Sequence, residues 1–168
     1  MDSYSNMKTI QLTRGLSAKV DDCDFDKISA YKWYAMKHSR SGKFYAARAV
    51  SKSKSRRIIL MHAQIMCTPI SMVTDHKDSD GLNNQRNNLR VCSNGQNLMN
   101  RGKTIKNIGQ FKGVYPSNRI KNPWLSSITL NGKYKYIGSF KTEEQAAKAY
   151  DEFAKIYHGE FASLNFPT

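Results

Sequence analysis

Residues 75–97 read DHKDSDGLNNQRNNLRVCSNGQN, and the reading of the whole chain turns on this stretch. Just before it, Ser71–Thr74 predicts a short strand. From Asp75 to Asn88 the sequence is crowded with Asp, Asn and Gly, the residues of turns and left-handed backbone positions, so a polar loop is expected. Leu89–Cys92 predicts a second short strand. Ser93-Asn94-Gly95-Gln96 has the S-x-x-Q form of a capping box, which opens a helix carrying Asn97. Residues 67–101 therefore run strand, loop, strand, helix, with Asp75 and His76 side by side at a strand end.

The charge around this stretch is lopsided. The 168 residues hold 27 Lys and Arg against 13 Asp and Glu, a formal net charge of +14. Such an excess points to a polyanionic partner, nucleic acid first and an anionic membrane second. Between Lys27 and Thr142 there are 22 basic residues but three carboxylates, Asp75, Asp78 and Asp80, all beside His76. A surface that meets phosphates excludes acids, because each like charge costs affinity. Acids kept at one spot in a basic field have two readings, a bound divalent cation or an acidic turn without a ligand. Cys23, Cys67 and Cys92 are odd in number and form no C-x-x-C pair, so they read as reduced small hydrophobes rather than disulfides or zinc ligands. No apolar signal core and no run of about 18 apolar residues is present, which predicts a cytoplasmic chain with no membrane partner.

Hydrolysis of a phosphodiester needs a base for water, charge to neutralise the phosphate, and a group to stabilise the departing 3′ oxygen. A neutral histidine is the natural base near pH 7, and a hard divalent cation held by oxygen ligands serves the other two needs. Asp75-His76 presents both kinds of group. Adjacent strand residues point to opposite faces, so a bend is expected there that turns His76 to the substrate while Asp75 holds metal. Asn97 supplies a second oxygen if the hairpin folds back onto its helix.

These 23 residues resemble the HNH homing endonucleases, especially the phage group. The matching pieces are Asp75-His76-Lys77-Asp78, Asn83-Asn84, Asn88-Leu89-Arg90 and Asn97. The resemblance implies a ββα-metal fold, His76 as general base, and Asp75 and Asn97 as ligands of one divalent ion, magnesium or manganese. It places the middle letter of the motif on Asn88, as a brace for the loop carrying His76, and the last on Asn97. Arg90 has three readings: neutralising the phosphate, a salt bridge, or packing. His62 has a counterpart in relatives, but Ala63 departs from the arginine usual after it, so His62 reads as structural.

Upstream, residues 1–66 read as a β-rich region that supports this motif. Lys8–Thr13, Lys32–Met36, Lys43–Val50 and Arg56–Leu60 are strand candidates, and Met61–Met66 is a short helix. Ser51–Arg57 (SKSKSRR) reads as an exposed basic hairpin loop, lying along a DNA backbone or simply solvated.

Downstream, residues 102–110 read as a basic linker, and 111–168 as a second domain. Phe111–Tyr115, Trp124–Leu130 and Tyr134–Phe140 predict three strands, the last two joined at Asn131-Gly132, the strongest short hairpin signal. Thr142-Glu143-Glu144-Gln145 is a second capping box. Ala146, Tyr150, Ala154 and Tyr157 follow at helical spacing beside Phe153, and Gly159 suits the helix end. That helix covers one side of the sheet and leaves the other free. The segment resembles the plant ethylene-response-factor DNA-binding domain through Lys112-Gly113-Val114, Trp124, Tyr136–Phe140, Thr142–Ala147 and Ala162–Pro167. The resemblance implies that the free face enters the major groove, carrying Lys112, Tyr115, Ser117, Ser127, Thr129, Tyr134 and Tyr136. Arg119, Lys121, Lys133 and Lys135 would grip the phosphate backbone, while Trp124 and Ile128, of opposite parity, pack under the helix. Several face residues differ from the plant proteins, so no target sequence carries over.

The expectation is thus an α+β chain, monomeric, that cuts double-stranded DNA with one metal ion and one active site, nicking one strand per visit. Its rivals are a DNA-binding regulator with an inactive HNH motif and an RNA-binding protein with aromatic stacking platforms. A phage-encoded chain would work in the host cytoplasm.

Overall fold

A computed structural model describes residues 6–39, 41–52, 55–100, 110–130 and 132–167. The architecture is α+β, with small antiparallel sheets and four α-helices among the described residues. The chain divides into two compact units, residues 1–94 and 95–168. The expected linker lies, but for Gln110, outside the described residues, as do Ser53, Lys54 and Asn131.

In the first unit β1 (Met7–Gln11) and β2 (Ser17–Asp21) form a hairpin, followed by α1 (Asp22–Ser29). A second sheet is ordered β3 (Tyr34–Lys37), β4 (Phe44–Lys52), β5 (Ser55–Leu60), and α2 (Met61–Ile65) leaves its last strand. The basic stretch expected as a loop is instead mostly ladder, with Val50 opposite Arg57 and Ser51 opposite Arg56. Polar composition does not end a ladder when the neighbouring strand satisfies each backbone group. A third, two-stranded sheet pairs β6 (Val73–His76) with β7 (Leu89–Cys92).

One core joins these pieces. Ile10, Val20, Ile28, Trp33, Ala46, Met61 and Leu89 are buried together, and the Trp33 indole N–H donates to the Ile28 carbonyl at 2.8 Å. Leu89 belongs to the hairpin, so the β6–β7 element shares its core with residues 1–66 rather than standing apart as its own domain. Burial of a leucine of this kind stabilises by roughly 1.5–3 kcal/mol, which a 23-residue motif cannot obtain from itself. The boundary between units falls after Asn94, inside α3 (Asn94–Met99).

In the second unit the sheet order is β10 (Lys133–Phe140), β9 (Trp124–Leu130), β8 (Val114–Pro116), covered by α4 (Glu143–His158). The Thr142 hydroxyl accepts from the Gln145 amide at 3.2 Å, as the capping box requires, and Gly159 closes the helix at φ 52°. β8 begins later than the sequence suggests. The Lys112 amide and carbonyl are taken by the Asn165 side chain, and Gly113 sits at φ 75°, where a Cβ would collide with the Tyr150 ring. Asp151, buried in α4, accepts from the amides of Asn165 and Phe166 at 2.8 and 2.9 Å, so the C-terminal Ala162–Pro167 stretch is tied to the helix and to the sheet entry at once.

A bulge between Tyr136 and Gly138 in β10 shifts the strand's parity. Ile137, the extra residue, packs against Ile128, Tyr150 and Ala154, while Phe140 joins Trp124, Val114 and Ala146 on the same helix-covered side. Cross-strand partners share a face, so the register puts Tyr115, Leu125, Ser127, Thr129, Tyr134, Tyr136 and Ser139 on the opposite one.

Candidate active site

Asp75 and His76 lie within β6 and not at a bend beyond it, opposite Arg90 and Leu89 of β7. The observed strand is displaced by two residues from the predicted one, and its register pairs His76 with Leu89 and Val73 with Cys92. Consecutive strand residues then face opposite ways, and the two groups have separate surroundings.

His76 is 5% exposed. Its Nε2 lies 3.4 Å from Oδ1 of Asn84, a fully buried asparagine. The His62 ring of α2 meets it edge-on at 4.7 Å between centroids, and the Tyr45 ring of β4 lies 5.9 Å from each histidine. Burial pushes the His76 imidazole below its ordinary pKa, with Asn84 and then Asp78, Asp75 and Asp80 pulling the other way. The ring is therefore neutral near pH 7, the state a general base needs.

His62 is driven further, to about 3, by burial and then by the neighbouring His76, and among the described residues its buried Nδ1 has no hydrogen-bond partner. The unfolded chain binds the His62 proton near pH 6.5 while the folded chain does not. Stability from this source is complete above pH 6.5 and is lost as pH falls from there towards 3, by something on the order of 4 kcal/mol. Urea unfolding at pH 7.5 and pH 4.5 should show the first unit weakening in acid, and His62→Phe should flatten that slope. Equal acid sensitivity in parent and variant would contradict the assignment.

On the other face, Asp75 Oδ2 accepts from Arg90 Nε at 3.0 Å and Nη2 at 2.8 Å, with both side chains about nine-tenths buried. Of the three readings of Arg90, the salt bridge is the one present. Among the described residues no three His, Cys, Asp or Glu side chains gather into a metal cage. An aspartate carboxylate and an asparagine amide are hard oxygen donors, a set that fits magnesium or manganese completed by water and phosphate oxygens, and does not fit a soft-metal site.

The loop between β6 and β7 is held from within and from outside. Asn88 Nδ2 donates to Asp78 Oδ1 at 2.9 Å and to the Asn83 carbonyl at 2.8 Å, while its Oδ1 accepts from the Asp78 amide at 3.1 Å. Burial opposes ionisation of Asp78, but hydrogen bonds from the Asp80 amide, Asn83 and Asn88 outweigh it and hold its carboxyl below the usual range. Asp80 and Asp78 thus serve the turn itself. From outside, β2 runs beside the loop: the Lys19 amide donates to the Leu82 carbonyl, and the Asn84 amide to the Lys19 carbonyl, each at 2.8 Å. Asp21 accepts from the Arg86 amide and the Gln85 side chain, and Asp24 holds the Arg86 guanidinium with both oxygens at 2.6 and 2.7 Å. Asn84 entered the sequence reading as part of the matching motif but without a role of its own, and Tyr45, Asp21, Asp24 and Arg86 were not singled out, since 62 residues separate Asp24 from its partner and no local pattern marks the pair.

Asn97 sits half-buried on α3 and is described with the second unit. Of the residues expected on the open sheet face, Tyr115, Thr129, Tyr134 and Tyr136 are exposed there. Ser127 is on the same face but only 4% exposed. Ser117 closes the β8–β9 turn, its amide donating to the Pro123 carbonyl at 2.7 Å. Arg119 reaches Ser139 Oγ at 3.2 Å, at the edge of the face, and Lys121 is exposed.

Two lysines depart from expectation. Lys112 precedes β8, and its Nζ donates to the Met99 carbonyl and lies over the Tyr150 ring; burial lowers its ammonium to about 8 against the pull of Asp151. Lys135 pairs with Ile128 on the helix side and donates to the Tyr157 hydroxyl at 2.9 Å. The strand register, not residue type, sends it there. Lys133 pairs with Leu130 on that same side, at the exposed sheet end.

No family model matches the chain. It is 33% identical over 138 residues to an uncharacterized HNH endonuclease of Acanthamoeba polyphaga mimivirus, covering 82% of this chain and 68% of that protein. It is also 33% identical over 89 residues to an ethylene-responsive transcription factor of Medicago truncatula, spanning 52% of this chain and 32% of the plant protein. A dehydration-responsive element-binding protein of Arabidopsis thaliana is 42% identical over 59 residues, 34% of this chain and 17% of that one. The plant similarities are partial, whereas the viral one runs through most of both sequences. By that extent of shared sequence, the chain belongs to the HNH endonuclease family.

Proposed function

We propose that this protein is a divalent-metal-dependent endonuclease that cuts double-stranded DNA at selected sites. The observation that carries the reading is His76, buried, neutral and held by Asn84, one residue from Asp75 in a hairpin whose loop Asn88 ties together. In this reading β6, β7 and α3 form the ββα-metal unit. Asp75 and Asn97 hold one magnesium or manganese ion. When bound, the ion supplies positive charge to the scissile phosphate and to the departing 3′ oxygen. His76 takes the proton from the attacking water. Arg90 aims the Asp75 carboxylate through two hydrogen bonds, and its charge next to the site favours a phosphate over a free cation.

The second unit supplies recognition. Its open face offers Tyr115, Thr129, Tyr134 and Tyr136 to bases and sugars, with Arg119 and Lys121 on phosphates. Each phosphate contact contributes about 0.9 to the slope of log affinity against log salt. Arg119→Gln and Lys121→Gln should each lower that slope by about this amount in binding titrations, while Lys135→Gln should leave it unchanged.

One active site per monomer nicks one strand at a time. A supercoiled plasmid library incubated with the protein and magnesium should be relaxed to open circles, and chelation should stop the reaction. Binding without cleavage in magnesium, manganese or any other divalent ion would leave the chain a DNA-binding regulator with an inactive HNH motif.

A further inference from the structure

Asn84 has no exposed surface, yet it is not simply filling the core. Its backbone amide donates to the Lys19 carbonyl of β2 at 2.8 Å, and its side-chain Nδ2 donates to the Leu82 carbonyl at 3.1 Å. A carbonyl can only accept, so this second contact decides which end of the amide is nitrogen and turns Oδ1 towards His76. Oδ1 can only accept as well. The Nε2 of His76, 3.4 Å away, must then carry the proton of the neutral ring, and the lone pair resides on Nδ1. The ring plane is limited further by His62 and Tyr45.

We infer that Asn84 is a positioning residue for the reaction proposed above: anchored by β2, it selects the Nε2–H tautomer of His76 and leaves Nδ1 as the nitrogen that accepts the proton of water. The inference rests on the nuclease reading for its consequence, but not for its geometry. It also assigns a task to the N-terminal hairpin. Lys19, at the centre of β2, receives Leu82 and Asn84 on its own backbone groups, and Asp21 holds the next two residues of the loop. The hairpin is the fixed rail against which the asparagine, and through it the base, is set. Supporting groups of this kind typically carry a 10- to 100-fold share of activity.

The test combines a spectrum with kinetics on the full chain. Long-range ¹⁵N–¹H correlation of the His76 ring at pH 7.5 reports which nitrogen is protonated in the wild-type protein, with no substrate and no variant needed. The Nε2–H pattern is expected, and an Nδ1–H pattern overturns the inference. Asn84→Leu should mix the tautomers and lower kcat for plasmid nicking by 10- to 100-fold with KM for DNA little changed. Asn84→Asp, which keeps an oxygen acceptor but loses the donor to Leu82 and adds a charge that favours the imidazolium, should keep the proton on Nε2 while moving the acid limb of the rate profile to higher pH. A well-folded Asn84→Leu protein with wild-type kcat overturns the inference even if the wild-type spectrum agrees. If the wild-type protein does not cut DNA while Asn84→Leu still loses the Nε2–H tautomer, the nuclease reading fails alone and the positioning of His76 by Asn84 stands.

Discussion

His76→Ala is expected to lower DNA cleavage by about 10²- to 10⁴-fold, the range that a positioned general base supplies, while DNA binding stays within a factor of two or so of wild type. The separation is expected because the residues proposed to grip DNA, Tyr115, Thr129, Tyr134, Tyr136, Arg119 and Lys121, are described with the other unit. His76 itself is buried among Asn84, His62 and Tyr45. The acid limb of the rate profile gives an independent check. Burial lowers the His76 pKa below its ordinary value, so cleavage should hold its plateau below pH 6.5 and decline only at more acid pH. Nicking by the alanine variant at the parent rate would remove His76 from the mechanism. A parent rate that falls already above pH 7 would mean that the essential base titrates in a more polar place.

Asp75→Ala is expected to do two separable kinds of damage. It removes a proposed metal ligand, and it takes the carboxylate from Arg90, whose side chain is 10% exposed. Breaking a buried ion pair on one side typically costs 3–5 kcal/mol, because a desolvated charge loses its partner. Arg90→Met should likewise destabilise the first unit, by leaving Asp75 behind. The double variant Asp75→Leu/Arg90→Met should recover most of the folding stability, since neither charge is left over, yet remain without cleavage. Equilibrium unfolding of the four proteins, set out as a double-mutant cycle, reads the structural part, and the nicking assay in magnesium reads the other. Recovery of cleavage along with stability in the double variant would show that Asp75 serves the fold and not the metal. A double variant as unstable as Asp75→Ala would show that the pair is not what holds this corner of the hairpin.

Much of the secondary structure was legible because its causes are local. Leu89–Cys92 and Trp124–Leu130 emerge as strands with the predicted bounds, and the Thr142 cap and Gly159 close α4 where their chemistry says they should. A capping box acts over three residues, so nothing distant can hide it. Strand ends were less legible. β6 moved to include Asp75 and His76, and β8 lost its first residues to Asn165, because a strand stops where its partner or a competing side chain dictates. Two short elements, β2 and α1, carry little period of their own. They matter through what they hold, the Lys19 backbone and the Asp21 and Asp24 carboxylates, and those contacts reach across more than 60 residues of sequence.

What the sequence determined unaided was the inventory: a basic chain with its mid-chain acids gathered at one histidine, the spacing of Asp75, His76, Asn88 and Asn97, and the order of strands and helices around them. Composition and short-range pattern are properties of the chain itself and survive in any conformation. Tertiary structure alone decided the environment of each group. It buried His76, which lowered its pKa, it set Asn84 against the ring, it gave Arg90 to Asp75, and a single bulge at Ile137 brought Ile137 and Phe140 to the same helix-covered side. Desolvation, ion pairing and side-chain direction depend on neighbours brought from elsewhere in the chain, and no spacing rule along one strand contains them.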